Sequence, residues 1–273
     1  MKAKIRLCTF TFAVLLSVGM VYGAFEERGV GSGYLGRGGT GIAAGNMAFI
    51  AFRNAAALPF YAEQRLDLFY RNFYGLPDLN EVALAFTLPQ KEVPLSFGLS
   101  QYGSKTYNET MIRVAAGYRV APSLALGVTG NLYYVSLKNY GYSTSYGFGL
   151  SGLYTVTKRL NLGFTVTNLN EPTIGTAREK IPLTLIMGLS FSPIDDAILN
   201  VDVVKESGFD FDYRFGLEYV TLDWLTVRAG YRYLAQSISL GLGLFLGDFR
   251  ADYSLEYHPE LNYSHSVSVG YAF

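Results

Sequence analysis

The chain has a single cysteine, Cys8, and it lies within the first two dozen residues. Everything after it is free of thiols, which excludes disulfides, cysteine metal sites and cysteine nucleophiles from the body of the protein. Histidine is almost as scarce, with only His258 and His265. His265 is flanked by Ser264 and Ser266, but neighbours along a strand face opposite ways, and His258 precedes Pro259 in a turn. No Ser–His–acid arrangement or metal-ligand spacing emerges, so the sequence reads as a non-enzyme with no cofactor. The Gly-x-Gly occurrences lie in no βαβ unit and carry no nucleotide-binding meaning. Charged residues make up only 16% of the chain, with no basic cluster, which argues against a nucleic-acid partner. Beyond residue 25 no apolar run reaches the ~20 residues a transmembrane helix needs, although half the residues are hydrophobic.

What is present begins with an export signal. Lys2, Lys4 and Arg6 precede an apolar stretch from Phe10 to Val21, and Val21-Tyr22-Gly23 offers small side chains for a peptidase. Residues 1–23 therefore read as a signal peptide cleaved after Gly23. Its removal takes away three basic side chains and leaves a net charge of −3. The remaining hydrophobicity is spread in alternation. Tyr263, His265, Val267, Val269, Tyr271 and Phe273 fall on one face of a strand, and Asn262, Ser264, Ser266, Ser268, Gly270 and Ala272 on the other. The 22 tyrosines and 19 phenylalanines suit the aromatic girdles of a membrane barrel. Backbone groups inside a bilayer all need partners, so such strands must close into a ring. The alternative, a soluble exported sandwich, would leave a continuous apolar band in water.

The fold class expected is thus all-β: a transmembrane antiparallel up-and-down β-barrel over residues 61–273. It has about 14 strands, or 12 if boundaries slip. The spans are 65–74, 80–88, 93–102, 109–120, 124–137, 143–157, 160–169, 181–192, 197–206, 210–220, 225–234, 236–246, 249–258 and 261–273. An even count places both barrel ends on the periplasmic side. The connections Gln101–Glu109 and Asn168–Pro182 read as the longer, outward ones.

Inward positions of the last six strands carry Asp202, Asp212, Arg214, Glu218, Arg228, Arg232, Arg250, Asp252 and Glu256. Earlier strands show mostly Gly, Ser, Thr and Asn inside, apart from Asp67, Arg71, Arg113 and Arg119. The tight turn at Thr221–Trp224 sets Glu218 opposite Arg228 and Arg214 opposite Arg232. The next strand offers only Ser237, Ser239, Gly241 and Gly243 inward. Strands two steps apart are separated by about 10 Å, so Arg228 and Arg232 are expected to reach over these small residues towards Asp252 and Glu256. Such a charged wall either lines a polar path or forms a satisfied ion-pair network that rigidifies the barrel.

Residues 24–60 do not alternate. They read Gly33-Tyr34-Leu35-Gly36-Arg37-Gly38-Gly39-Thr40-Gly41-Ile42-Ala43-Ala44, then Phe52-Arg53-Asn54-Ala55-Ala56-Ala57-Leu58. This stretch resembles the opening of the FadL-type transporters of hydrophobic compounds and of the related PorV/PorQ barrels of type IX secretion. Those families begin with a Gly-Met-Gly-Gly-Ala-like run followed by an Asn-Pro-Ala-like motif. Here Arg37-Gly38 stands in place of Gly-Met, and Ala55 in place of the proline. The resemblance implies that residues 24–60 form a hatch filling the periplasmic part of the lumen, with Gly36, Gly38, Gly39, Gly41 and Asn54 as its characteristic positions. It further implies passive transport of small hydrophobic or amphipathic molecules across the outer membrane. The alternative within the resemblance is a scaffold or shuttle barrel whose partners are secretion-system proteins. Outer-membrane lipid and lipopolysaccharide would surround either one.

Overall fold

A computed structural model describes residues 23–44, 48–60 and 63–273. The expected signal peptide, apart from Gly23, lies outside the described residues. Sixteen strands follow one another: β1 (Arg65–Asn72), β2 (Asn80–Leu88), β3 (Leu95–Gly103), β4 (Tyr107–Ala121), β5 (Leu124–Leu137), β6 (Gly141–Thr157), β7 (Leu160–Thr167), β8 (Thr173–Ile174), β9 (Glu179–Lys180), β10 (Thr184–Ile194), β11 (Ala197–Glu206), β12 (Asp212–Leu222), β13 (Leu225–Arg232), β14 (Ser237–Leu246), β15 (Phe249–His258) and β16 (Asn262–Ala272). Fourteen of them form a closed antiparallel barrel, while β8 and β9 make a small separate ladder.

Closure runs through β1. Leu68 pairs with Leu84 of β2 on one side and with Val269 of β16 on the other, so the sheet has no edge. Arg65 and Ala272 pair at one end, which places both ends of the barrel wall together. That end is called lower here, and the opposite end upper.

The period of two decides which face each residue takes. Ser266 and Ser268 are 2% and 3% exposed, whereas Val267 and Val269 between and beyond them are each 46% exposed. The same division recurs around the wall and leaves a belt of outward Leu, Val, Ile and Phe. In water so large an apolar surface would drive association. Against hydrocarbon it is matched. Tyrosine and tryptophan mark the belt's rims: Tyr118, Tyr154 and Trp224 towards the lower end, and Tyr70, Tyr213 and Tyr263 towards the upper. This is the girdle arrangement of a transmembrane barrel.

Two connections differ from expectation. Gln101–Glu109 was read as a long loop, but β3 and β4 run on to Gly103 and Tyr107. The chain reverses there through Gly103 at φ 108°, a left-handed conformation that glycine adopts without cost. Asn168–Pro182 is long, as expected, but folds on itself through β8 and β9.

The interior is filled by the N-terminal segment, and the protein's hydrophobic core lies between that segment and the wall. A four-residue helix, α1 (Ser32–Leu35), and two 3₁₀ turns, Ile50–Phe52 and Ala55–Phe60, are the regular elements among its described residues. Ala55, Ala56, Ala57 and Leu58 pack against Ala115, Ala125 and Leu153 of β4–β6. Val30, Tyr34, Leu35 and Phe49 pack against Phe69, Ala83 and Ala85 of β1–β2. The segment is not confined to the lower part of the lumen, as the sequence suggested. Ala24 and Phe25 reach the upper end, clustered with Tyr133, Ile174 and Ile181 beside the β8–β9 loop. Upper-end partners hold them there. The Phe25 amide donates to Glu109 at 3.0 Å, the Glu27 amide to Glu206 at 3.1 Å, and the Phe25 ring lies 4.6 Å from that of Tyr133.

Candidate functional site

Small residues on the wall make room for the segment's backbone. A Cβ on Gly36 would meet the Cα of Gly241 at 2.8 Å, and one on Gly38 would meet the Tyr231 amide at 2.8 Å. Reciprocally, a side chain on Gly230 would overlap the Gly38 amide, and one on Gly216 would overlap Thr40. The inward glycines of β12–β14 are therefore the complement of the glycine-rich segment. Gly38 and Gly39 turn the chain after α1 with φ of 72° and 64°, and Gly41 follows at 101°. That sequence of left-handed residues reverses the chain within a few ångströms of the wall.

Polar anchors then fix the segment. Gly41 and Ile42 donate their amides to the same Asp202 oxygen at 2.8 and 3.0 Å. Asn54 donates to the Ile42 carbonyl at 2.8 Å and to the Gly152 carbonyl of β6 at 3.2 Å, and it accepts the Ala56 amide at 3.0 Å. Its side chain thus caps the last 3₁₀ turn and joins two stretches of the segment to the wall. Ser32 is held by lumen serines of β16: its amide donates to Ser268 at 2.8 Å, and its hydroxyl lies 2.9 Å from that of Ser266.

The charged residues form two chains of ion pairs. In the lower one Glu218 bonds Arg228 at 2.5 Å, Arg228 bonds Asp252 at 2.8 Å, and Arg250 bonds Asp252 at 2.7 Å. Arg37 of the segment joins it through Glu218 at 3.3 Å. In the upper one Arg214 bonds Asp212 at 2.6 Å and Glu27 of the segment at 2.9 Å. Arg232 lies 3.5 Å from Asp212 and 3.8 Å from Glu256, which also bonds Arg71 at 2.6 Å. Arg228 and Arg232 both cross β14 to reach β15, over Gly241, Gly243, Ser237 and Ser239. Burial opposes the charge on Glu27, yet Arg214 and Arg232 hold its carboxyl below the usual range. Burial pushes the Tyr34 phenol up to about 12, with Glu27 adding to the effect.

Several residues stand outside the sequence reading. Asp202 joins neither chain: it is an anchor for the segment's amides. The charge is also not concentrated in the last six strands, because Glu81 and Glu109 of β2 and β4 are both buried. Their faces were obscured by polar neighbours at the strand starts. The segment's own Glu27, Arg28, Arg37 and Arg53 gave no signal at all, since residues without periodicity cannot be assigned a face. Arg28 bonds Glu109 at 2.6 Å and stacks on Tyr102. The two histidines take no part in the lumen: His265 faces outward, with the Tyr253 hydroxyl 2.7 Å from its Nδ1, and His258 accepts turn amides.

Between the segment and β2–β5, β7 and β10 the upper lumen keeps a cavity of about 100 Å³. Phe25, Val30, Ile42, Phe52, Tyr133 and Ile186 supply its apolar lining. Arg53, Arg113, Glu81 and Asn168 supply polar groups. The scale compares with the roughly 150 Å³ cavity that accepts a benzene molecule in another protein. The arrangement has room for one small ring, with four glutamates and three arginines among the residues around it.

No family model and no curated protein matches the chain. Solved structures do. The CymD monoaromatic hydrocarbon channel superposes with a TM-score of 0.68 at 17% identity, covering 90% of this chain and 98% of that one. The fold is that of the FadL-type channels. The Ralstonia pickettii toluene transporter TbuX superposes with a TM-score of 0.65 at 16% identity, covering 91% and 98% of the two chains. A Pseudomonas aeruginosa FadL homologue gives 0.62 at 15% identity, covering 90% and 99%. Identities this low speak for the FadL-type architecture alone. The secretion-component alternative receives no support from these neighbours.

Proposed function

We propose that this protein is an outer-membrane channel for passive entry of small hydrophobic or amphipathic molecules, with residues 24–60 acting as its hatch. The observation that carries the reading is the single-ring cavity enclosed between the N-terminal segment and the wall. A general porin needs an open aqueous lumen, whereas here backbone of the segment lies directly against Gly216, Gly230 and Gly241. A molecule entering from the upper end meets apolar and aromatic side chains in the cavity, and passage onward requires the segment to shift. In this orientation the lower end is periplasmic, the export signal is cleaved after Gly23, and lipid and lipopolysaccharide contact the outward belt. Similarity to channels named for toluene and monoaromatic hydrocarbons supports the choice of cargo class.

The test is initial uptake of radiolabelled toluene by cells with a lipopolysaccharide-bearing outer membrane, with and without the protein. Faster uptake in expressing cells is expected. Equal rates, with the folded barrel present in the outer membrane, would sink the proposal.

A further inference from the structure

With cleavage after Gly23, the first residue of the mature chain is Ala24. It is 7% exposed at the upper end of the lumen, packed with Tyr133 of β5 and with Ile174 and Ile181 of the β8–β9 loop. Gly23 lies against the same loop. A Cβ there would meet the Lys180 carbonyl oxygen at 2.8 Å and a Glu179 carboxylate oxygen at 3.9 Å. The bond to be cut is therefore lodged between the wall and that loop, at the far end of the barrel from the periplasm.

The surroundings are short of positive charge. Burial pushes the Glu26 carboxyl up; Arg28 opposes this, while Glu109 and Glu179 add to it, so the three carboxylates lie near one another. Arg28 bonds Glu109 at 2.6 Å. Glu109 is otherwise occupied by the Phe25 amide at 3.0 Å and the Tyr107 hydroxyl at 2.8 Å. The Lys180 ammonium turns to Glu171 at 3.1 Å. Among the described residues no cation lies within ion-pair distance of Glu26 or Glu179. Three carboxylates thus share one bonded guanidinium around the Ala24 nitrogen, which as a peptide nitrogen carries no charge. Cutting changes that, because an α-amine has an ordinary pKa of about 7.7–8.0 and is cationic at neutral pH. The Ala24 nitrogen is two bonds from the Gly23 Cα, so the new cation appears beside Glu179 and the Lys180 carbonyl. Hydrogen bonds from an ammonium to such acceptors are stronger than neutral ones.

We infer that the upper end of the lumen is a binding site for the chain's own α-ammonium group. Ala24, released by signal cleavage, pairs with Glu179 and Glu26, takes the Lys180 carbonyl as a further acceptor, and pins the start of the segment beneath the β8–β9 loop. An uncut chain, tethered through its signal to the inner membrane, has no charge to offer here and cannot deliver Ala24 to the outer end, so docking follows processing. This rests on cleavage after Gly23 and is independent of the cargo.

N-terminal sequencing of the protein taken from the outer membrane fixes the first residue. Ala24 is expected, and any other would overturn the cleavage site and the inference together. The mature chain is then unfolded and treated with pyridoxal phosphate, which converts the α-amine of an N-terminal alanine into a ketone and spares lysines. It is refolded in detergent beside an untreated portion. Amides from Glu26 to Val30 are expected to exchange hydrogen about fivefold faster in the ketone form, the upper range of a partly exposed ion pair, while amides of β12–β16 keep their rates. In a chain carrying Glu26→Gln and Glu179→Gln the two forms are expected to exchange alike, since the partners of the amine are gone. Heat-dependent gel migration reports whether each chain is folded. If the double variant does not fold, Glu179→Gln alone, on the exposed loop, should shrink the ratio. Equal exchange of amine and ketone forms, or a ratio that the Gln variants leave unchanged, would overturn the inference while leaving the cleavage site and the channel reading in place.

Discussion

Replacing Asn54 by leucine should release the N-terminal segment without opening the barrel wall. Asn54 is 2% exposed, and leucine keeps its branching and heavy-atom count while removing both polar atoms. What it removes is specific. The Ile42 carbonyl loses a 2.8 Å donor and the Gly152 carbonyl a 3.2 Å donor. The Ala56 amide loses the Asn54 oxygen but keeps the Ser151 hydroxyl at 3.1 Å. Each lost bond is worth about 0.5–1.5 kcal/mol, and a buried carbonyl left bare costs about 1–3. The sum for this site is about 2–3 kcal/mol of docking free energy. At 1.4 kcal/mol per decade, the undocked population rises roughly 30- to 150-fold. Hydrogen exchange resolved by peptide reads that change directly, since amides from Ile50 to Leu58 should exchange faster by that factor while amides of β12–β16 keep their rates. Unchanged exchange over Ile50–Leu58 would show that Asn54 does not hold the segment. Acceleration throughout the strands would show that segment and barrel are one cooperative unit.

Three further outcomes follow from the same geometry. Gly38→Val places a branched side chain at a φ of 72° and against the Tyr231 amide, so the segment should be displaced and planar-bilayer conductance should rise; conductance equal to the unaltered barrel would mean the blockage lies elsewhere. Arg228→Met removes the bonds to Glu218 and Asp252, but those carboxylates retain Arg37 and Arg250. The loss should therefore be about 1.5–3 kcal/mol, as for hydrogen bonds to charged groups, below the roughly 3–5 of an orphaned buried charge. Chemical unfolding of the reconstituted barrel measures it, and a loss at the higher figure would mean the neighbouring arginines do not compensate. Glu27 has a carboxyl held below its ordinary value of 4.5 in the folded state. Its docking contribution is complete above that ordinary value and is lost as pH falls through the depressed one. Exchange of amides near Glu27 should accelerate under acid conditions in the unaltered protein, and Glu27→Gln should show the acceleration already at neutral pH; identical profiles for the two would refute the assignment.

The wall was legible because a strand's face is a local property. Ser237, Ser239, Gly241 and Gly243 alternate with Ile238, Leu240, Leu242 and Leu244, and no distant residue is needed to say which set meets lipid. The same local rule, carried across one tight turn, placed Glu218 opposite Arg228 and Arg214 opposite Arg232, as the register shows. Strand ends were less secure, as at Gly103 and Tyr107, where polar residues continue the ladder beyond the apolar belt.

Tertiary structure alone decided the lumen. Residues 24–60 have no period, so nothing local orients their side chains, and their partners lie far along the chain. Asp202 meets the amides of Gly41 and Ile42 some 160 residues away, and Ser32 meets Ser268 across 236. Whether Arg37 is paired and Arg53 is short of a partner depends on where a glycine-rich strip of backbone comes to rest inside a ring that must first close. The sequence by itself settles alternation, because side-chain direction in a strand repeats every two residues. It leaves open the cavity and the charged groups that meet around it, because those arise from contacts between segments whose separation no local pattern encodes.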